Sequence, residues 1–315
     1  MIQIFYGIES KYRNVTRICV NFIDSELKLR IPLTDVARSQ LFGDPLPNIQ
    51  KHVLVQIDDK PTIIDAQLEA SIQLTPEQVQ QMRQQFPDKS TWQSISDPSE
   101  RLAAIQLANT FVHHPYGPRM EEGPEQWMVS RYLSPTATVL ELGANIGRNT
   151  LTIASMLQDD RRFVTLETCS QYIPYLELNR EVNGFHFQIE NAALSYRKLI
   201  QKDWDTIPSD TVLPGYFPVN TITYEQLLQK YGLTFDAIVA DCEGALYYIL
   251  QDCPQILDPV QTIIMENDYH QIEHKEFVDN ILSEKGFLRT YRQSGGWGPC
   301  QYFFFEVWQR ITQPN

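Results

Sequence analysis

The chain is short of positive charge, of paired cysteines and of long apolar runs. Its 26 lysines and arginines face 39 aspartates and glutamates, a net charge of −13. A surface so acidic repels phosphate backbones, so nucleic acid is not an expected partner. No apolar stretch approaches the roughly 18 residues of a membrane span, and the opening "MIQIFYGIESKYRNV" alternates instead of forming the apolar block of a signal peptide. Cys19, Cys169, Cys242, Cys253 and Cys300 are scattered, odd in number and without CxxC spacing. That pattern predicts reduced thiols, a cytoplasmic location and no zinc site. A dinucleotide-type GxGxxG is also missing.

What is present suffices for a large core: 315 residues, 43% hydrophobic and 21% charged, enough for one large domain and a small one. Residues 1–65 read as a small antiparallel β module built on "IQIFYGI", "RICVNFI", "LKLRIPL" and "HVLVQI", with no helix-length period. Residues 66–130 read as a helical connector. There Thr75-Pro76 and Asp97-Pro98 each have the N-cap and first-turn proline of a helix start. Residues 131–315 alternate strands and helices. The strands "TVLEL", "RRFVTLE", "FHFQIE", "FDAIVAD" and "QTIIME" are near-continuously apolar, as in a parallel sheet buried on both faces. "FLRTYRQ" and "QYFFFEVW" then pair as a hairpin through "SGGWGP", ending the sheet with an antiparallel strand. In such α/β sheets ligands bind at the carboxyl ends of the strands. Glu141, Glu167, Asp241 and Glu266 all fall there.

The densest signal is "VLELGANIGRNTL", Val139–Leu151: a strand, a glycine turn, then a helix expected to start near Ile146. Gly143 and Gly147 permit a tight turn and close approach of a ligand. Asn145 stands where GxGxxG has its second glycine, and Glu141 precedes the turn, where a carboxylate disfavours a pyrophosphate. The same acid suits a ligand carrying an ammonium and a sulfonium, which points to S-adenosylmethionine. Glu167, about 20 residues on, is placed to accept hydrogen bonds from ribose hydroxyls, and Asn191 and Ala192 to border the adenine.

With "VTLETCSQYIPYLELNREVNG", "ITYEQLLQKYGLTFDAIVADCEGALYYIL" and "IIMENDYH", this stretch resembles the FkbM family of S-adenosylmethionine-dependent methyltransferases, over about residues 138–308. The resemblance implies a Rossmann-like seven-stranded methyltransferase sheet and O-methylation of a glycan or other small molecule. Two departures stand in "ADCEGALYYIL": Ala240 replaces the family's frequent lysine, and Leu246 the glutamate after Gly-Ala. The phrases "YGI…NVT" and "FGDP…KHVLV" are faintly similar to a small β module of some glycan-modifying enzymes.

Transfer from a sulfonium needs an acceptor oxygen made more anionic by a base or a metal. Asp241 and Glu243 end one strand, Glu266 and Asn267 its expected neighbour. This arrangement resembles metal-dependent catechol and sugar O-methyltransferases. The resemblance implies Asp241, Glu266 and Asn267 as ligands of magnesium or another divalent cation, with Glu243 as general base. Alternatively, Glu243 favours the N-terminus of the following helix and Asp241 orients the ligands without an ion. His270 is an alternative base. His113, His114, Tyr116 and Arg119 precede the sheet in a segment able to cover the cleft, and "SGGWGPC" has the glycines of a mobile lid. The leading expectation is an O-methyltransferase acting on a sugar or related hydroxyl. A non-catalytic carbohydrate-binding or scaffold protein with a relict fold is the alternative, and an NAD-dependent oxidoreductase is disfavoured by Glu141 and the missing glycine.

Overall fold

In a computed structural model, residues 2–311 are described except 10, 22, 24–25, 33, 43–45, 59, 65–69, 85–88, 110, 112–118, 204, 270 and 296–297. The first strand, β1 (Ile2–Ile8), buries Ile2, Ile4 and Tyr6 on alternate positions. β2 (Lys11–Asn14) folds back on it. The next segment, expected as the strand "RICVNFI", is instead the short helix α1 (Thr16–Asn21). Asn14 Oδ1 accepts from the Thr16 N–H at 3.0 Å, and Thr16 Oγ1 from the Ile4 N–H at 2.8 Å. Capping thus decides a run too short for periodicity to separate helix from strand. β3 (Lys28–Ile31) follows, then a second unforeseen helix, α2 (Asp35–Phe42). β4 (His52–Ile57) and β5 (Lys60–Ile64) complete a four-stranded sheet of order β2-β1-β4-β5, and β6 (Ala70–Gln73) pairs with β3. α3 (Pro76–Gln84) closes the module, with a reciprocal cap between Thr75 and Gln78. Leu74, Val79 and Met82 share one apolar cluster with Ile2 and Ile4, so that core runs past residue 65.

α4 (Lys89–Gln93) and α5 (Pro98–Ala108) lead to α6 (Gly123–Tyr132). The Asp97 side chain caps α5 by accepting from the Ser99 and Glu100 N–H groups, each at 2.9 Å. The main sheet starts with β7 (Val139–Leu142), α7 (Arg148–Met156), β8 (Phe163–Leu166), α8 (Ile173–Val182) and β9 (Gln188–Glu190). An excursion follows. β10 (Ala193–Leu194) runs parallel to a later strand, and between them β11 (Leu199–Lys202), β12 (Asp205–Pro208) and β13 (Phe217–Val219) form a sheet of order β12-β11-β13. That later strand is β14 (Thr221–Ile222). Then come α9 (Tyr224–Tyr231), β15 (Ala237–Ala240), α10 (Ala245–Asp252), β16 (Thr262–Glu266), α11 (Ile272–Glu284), β17 (Phe287–Gln293) and β18 (Phe305–Arg310).

The main sheet has the order β17-β18-β16-β15-β7-β8-β9. β7, β8, β9, β15 and β16 are mutually parallel, while β18 runs antiparallel to both its neighbours, as the terminal hairpin predicts. β7, β8 and β15 are buried throughout, which requires cover on both faces. One face packs Ile105, Met128, Val129 and Ile153 from α5, α6 and α7. The other packs Leu227, Ile249, Leu250 and Val278 from α9, α10 and α11. The chain moves outward from β7 to β9 and then returns to β15 on the other side of β7. That reversal opens a crevice at the carboxyl ends of β7 and β15, where ligands of open α/β sheets bind. Among the described residues no helix is long and apolar enough to cross a membrane.

Candidate functional site

The glycine turn after β7 is shaped by its neighbours. Gly143 and Ala144 N–H groups both donate to the Leu166 carbonyl at 3.0 Å. Gly143 has φ +91°, and a Cβ there would lie 1.7 Å from the Asp241 carbonyl oxygen. Gly147 has φ +96°, and Asn145 between them is also left-handed at φ 51°. α7 begins at Arg148, two residues later than expected, because Gly147 still belongs to the turn.

Glu167, at the end of β8, closes this turn from the side. One carboxylate oxygen accepts from the Asn145 N–H at 2.7 Å and the other from the Cys169 N–H at 2.7 Å. It is only 7% exposed, and burial raises its carboxyl despite those hydrogen bonds.

Glu141 takes a different position from the one its sequence neighbourhood suggests. Strand alternation puts it on the face of Val139, beneath α7, and it does not line the crevice. Its Oε2 accepts from Thr150 Oγ1 at 2.7 Å and Thr165 Oγ1 at 2.6 Å, and burial pushes its carboxyl up to about 8. It ties α7 to β8 beneath the turn and is not among the residues lining the cavity. Asn191 is also diverted. Its Nδ2 donates to the carbonyls of Glu167 and Thr168, and its Oδ1 accepts from Ser170 Oγ at 2.7 Å. Ala192, beside it, does line the crevice.

The crevice is a cavity of about 420 Å³, within the usual range for small-molecule sites. Glu167, Thr168, Tyr172, Ala192, Leu194 and Gln201 line one end. Acids crowd the other. Glu125, Asp241 and Glu266 each bring a carboxylate oxygen within 4.8 Å of the others. Burial holds Asp241 well above the ordinary carboxyl range, with Glu122, Glu125 and Glu243 adding like-charge repulsion. Burial and a hydrogen bond to Glu125 drive the Glu266 carboxyl far above its ordinary range. Glu125 is 5% exposed, and its Oε2 meets no hydrogen-bond donor among the described residues. Glu243 lines the mouth from a left-handed backbone (φ 50°), and burial, then Asp268, raise it to about 7.

Asn267 does not join this cluster. It is 3% exposed, and its Nδ2 donates to Asp279 Oδ1 at 3.2 Å and Glu306 Oε2 at 3.1 Å. Lys275 and Arg289 meet the same two acids. A residue following a strand-end acid points away from it, and here the opposite side holds a buried ion network. Glu125 supplies the third carboxylate instead. Two further residues unforeseen in the sequence stand near it: Arg148, bound to Glu121 at 3.0 Å and Glu122 at 3.2 Å, and Glu122, which burial raises to about 7 although Arg148 opposes. The only trace in the sequence is the acid-rich "MEEGPEQW" ahead of the first sheet strand. His270, His113, His114 and Tyr116 lie outside the described residues, and Arg119 begins the short turn Arg119–Glu122.

No protein-family model matches the chain, and no curated protein does. Solved structures resemble it in backbone course. The ribosomal protein L11 methylase of Lactobacillus delbrueckii subsp. bulgaricus is 12% identical with TM-score 0.43, over 65% of this chain and 87% of that one. An O-methyltransferase from Bacillus cereus in complex with SAH is 16% identical with TM-score 0.38, over 71% of this chain and 92% of that one. An M. jannaschii tRNA methyltransferase is 11% identical with TM-score 0.36, over 63% and 51%. What each of these binds or modifies is a property of that protein.

Proposed function

We propose that the protein is an S-adenosylmethionine-dependent methyltransferase acting on an oxygen of a neutral, sugar-like or polyol acceptor. The observation that carries the reading is the single cavity joining Glu167, beside the Gly143–Gly147 turn, to the carboxylates Asp241, Glu243 and Glu266. S-adenosylmethionine supplies the electrophilic methyl of a sulfonium and leaves as S-adenosylhomocysteine. Glu167, already fixed by the Asn145 and Cys169 N–H groups, keeps lone pairs for the two ribose hydroxyls. Asp241, whose backbone packs against Gly143 and which lines the same cavity, is placed to receive the cofactor's ammonium. Glu243, at the mouth, takes the acceptor's hydroxyl proton as the new O–CH₃ bond forms and the S–CH₃ bond breaks. The acid-rich mouth repels anionic acceptors, which favours neutral ones.

Glu125, Asp241 and Glu266 form an all-oxygen set that fits a hard divalent cation of the magnesium kind, and the buried Glu125 Oε2 meets no hydrogen-bond partner among the described residues. Bound there, the ion would lower the pKa of an acceptor hydroxyl.

The test is calorimetric titration of S-adenosylhomocysteine into EDTA-treated protein, repeated with magnesium. Micromolar binding, abolished in Glu167→Ala, is the expected result. No binding under either condition overturns the reading.

A further inference from the structure

On the side of β8, β10 and β11 the cavity is lined by Thr168, Ala192, Ala193, Leu194 and Leu199, mostly small or apolar side chains. A carboxamide also lines this part of the cavity. Gln201 stands on β11 two residues from Leu199, on the same strand face, opposite Thr206 of β12, and all three line the cavity. Gln201 is 5% exposed, and its Oε1 is buried without a hydrogen-bond donor among the described residues. A buried carbonyl left without a donor is costly, so its persistence beside an open cavity points to a ligand that supplies one. The other carboxamides nearby are engaged. Asn145 Oδ1 accepts from the Ile146 N–H at 2.8 Å, and Asn191 uses both its ends on the loop after β8.

We propose that Gln201, carried on the inserted sheet and not on the main one, reads the amino edge of the cofactor's adenine. Its Oε1 accepts from the exocyclic amine. A glutamine carboxamide matches an adenine edge as a donor–acceptor pair, which gives discrimination as well as affinity. This inference rests on the adenosyl cofactor proposed above. It makes the excursion between β10 and β14 part of the cofactor site, with Gln201 beside the adenine that Asn191 and Ala192 were expected to border.

The test compares two ligands on three proteins. S-adenosylhomocysteine and its analogue with purine in place of adenine, which lacks the amine, are titrated into the wild type, Gln201→Leu and Gln201→Asn. Leucine removes the acceptor at similar volume, and asparagine keeps the amide but shortens its reach. Thermal midpoints establish that each variant is folded. The wild type should prefer the adenine ligand by about tenfold or more, and both variants should lose that preference while still binding the purine analogue. Equal binding of the two ligands by the wild type overturns the role of Gln201, as does a preference that survives in both folded variants. If neither ligand binds the wild type, the adenosyl cofactor itself is wrong and the inference falls with it.

Discussion

Gly143 and Asp241 meet backbone to backbone: a Cβ at position 143 would sit 1.7 Å from the Asp241 carbonyl oxygen. The two strand ends that frame the crevice are therefore in direct contact, and one cannot shift without the other. Gly143→Ala should force them apart and also strain a left-handed residue. The expected loss is about 2–5 kcal/mol of stability, with loss of S-adenosylhomocysteine binding. Urea unfolding and calorimetry check it. A variant with unchanged midpoint and affinity would show that the turn tolerates displacement.

Glu141 gives a pH dependence whose sign is fixed by its burial. Folded, it keeps its proton up to about pH 8, whereas its ordinary value is 4.5. Between those values the folded state binds more protons than the unfolded one. The stability present below pH 4.5 is then lost as pH rises toward about 8, by up to ~1.4 kcal/mol per unit from this group. Glu141→Gln keeps an oxygen for Thr150 and Thr165 but cannot ionise. Urea midpoints at pH 5 and pH 8.5 should converge in this variant relative to the wild type, and identical slopes in the two proteins would count against the assignment.

The two candidate third ligands are separable by experiment. Magnesium added to EDTA-treated protein should raise the thermal midpoint through binding to the folded state. Glu125→Gln should blunt that rise. Asn267→Ala should leave the rise intact while lowering the midpoint overall, because Glu306 loses a donor in its buried network, at a cost of about 1–3 kcal/mol. The reverse pattern would restore Asn267 as the ligand.

Lys275 neutralises Glu306, which is fully buried, and Asp279, both at 3.0 Å. Lys275→Met strands part of that negative charge, and the expected destabilisation is about 3–5 kcal/mol. Lys275→Met combined with Glu306→Gln should recover much of it. Chemical denaturation of the single and double variants measures the coupling, and a strictly additive result would mean the pair acts independently.

The fold of the larger domain was legible because its strands are short, near-continuously apolar runs separated by helix-length segments. The turn Gly143–Gly147 was legible because glycine is needed where φ is positive. Facing was harder to read. Glu141 and Asn267 each lie within one or two residues of the crevice, yet strand alternation sends the first beneath α7 and a buried ion network claims the second. Glu125 and Gln201 were illegible for a different reason. Each comes from outside the main sheet, and only tertiary packing brings it to the cavity. In the first module, "RICVNFI" has as many β-branched residues as a strand, and the Asn14 cap made it a helix.

The excursion between β10 and β14 leaves and re-enters the domain at one place: Ala193 N–H donates to the Asn220 carbonyl at 2.8 Å, and Ser195 N–H to the Ile222 carbonyl at 3.0 Å. Its three strands pair with one another and not with the main sheet. Such a segment behaves as a cassette with a pinned base. Its length and content can diverge, or be exchanged by design, without disturbing the strand order beneath it, so under the proposed function selectivity for the base would change while the carboxylate end of the cavity stays the same.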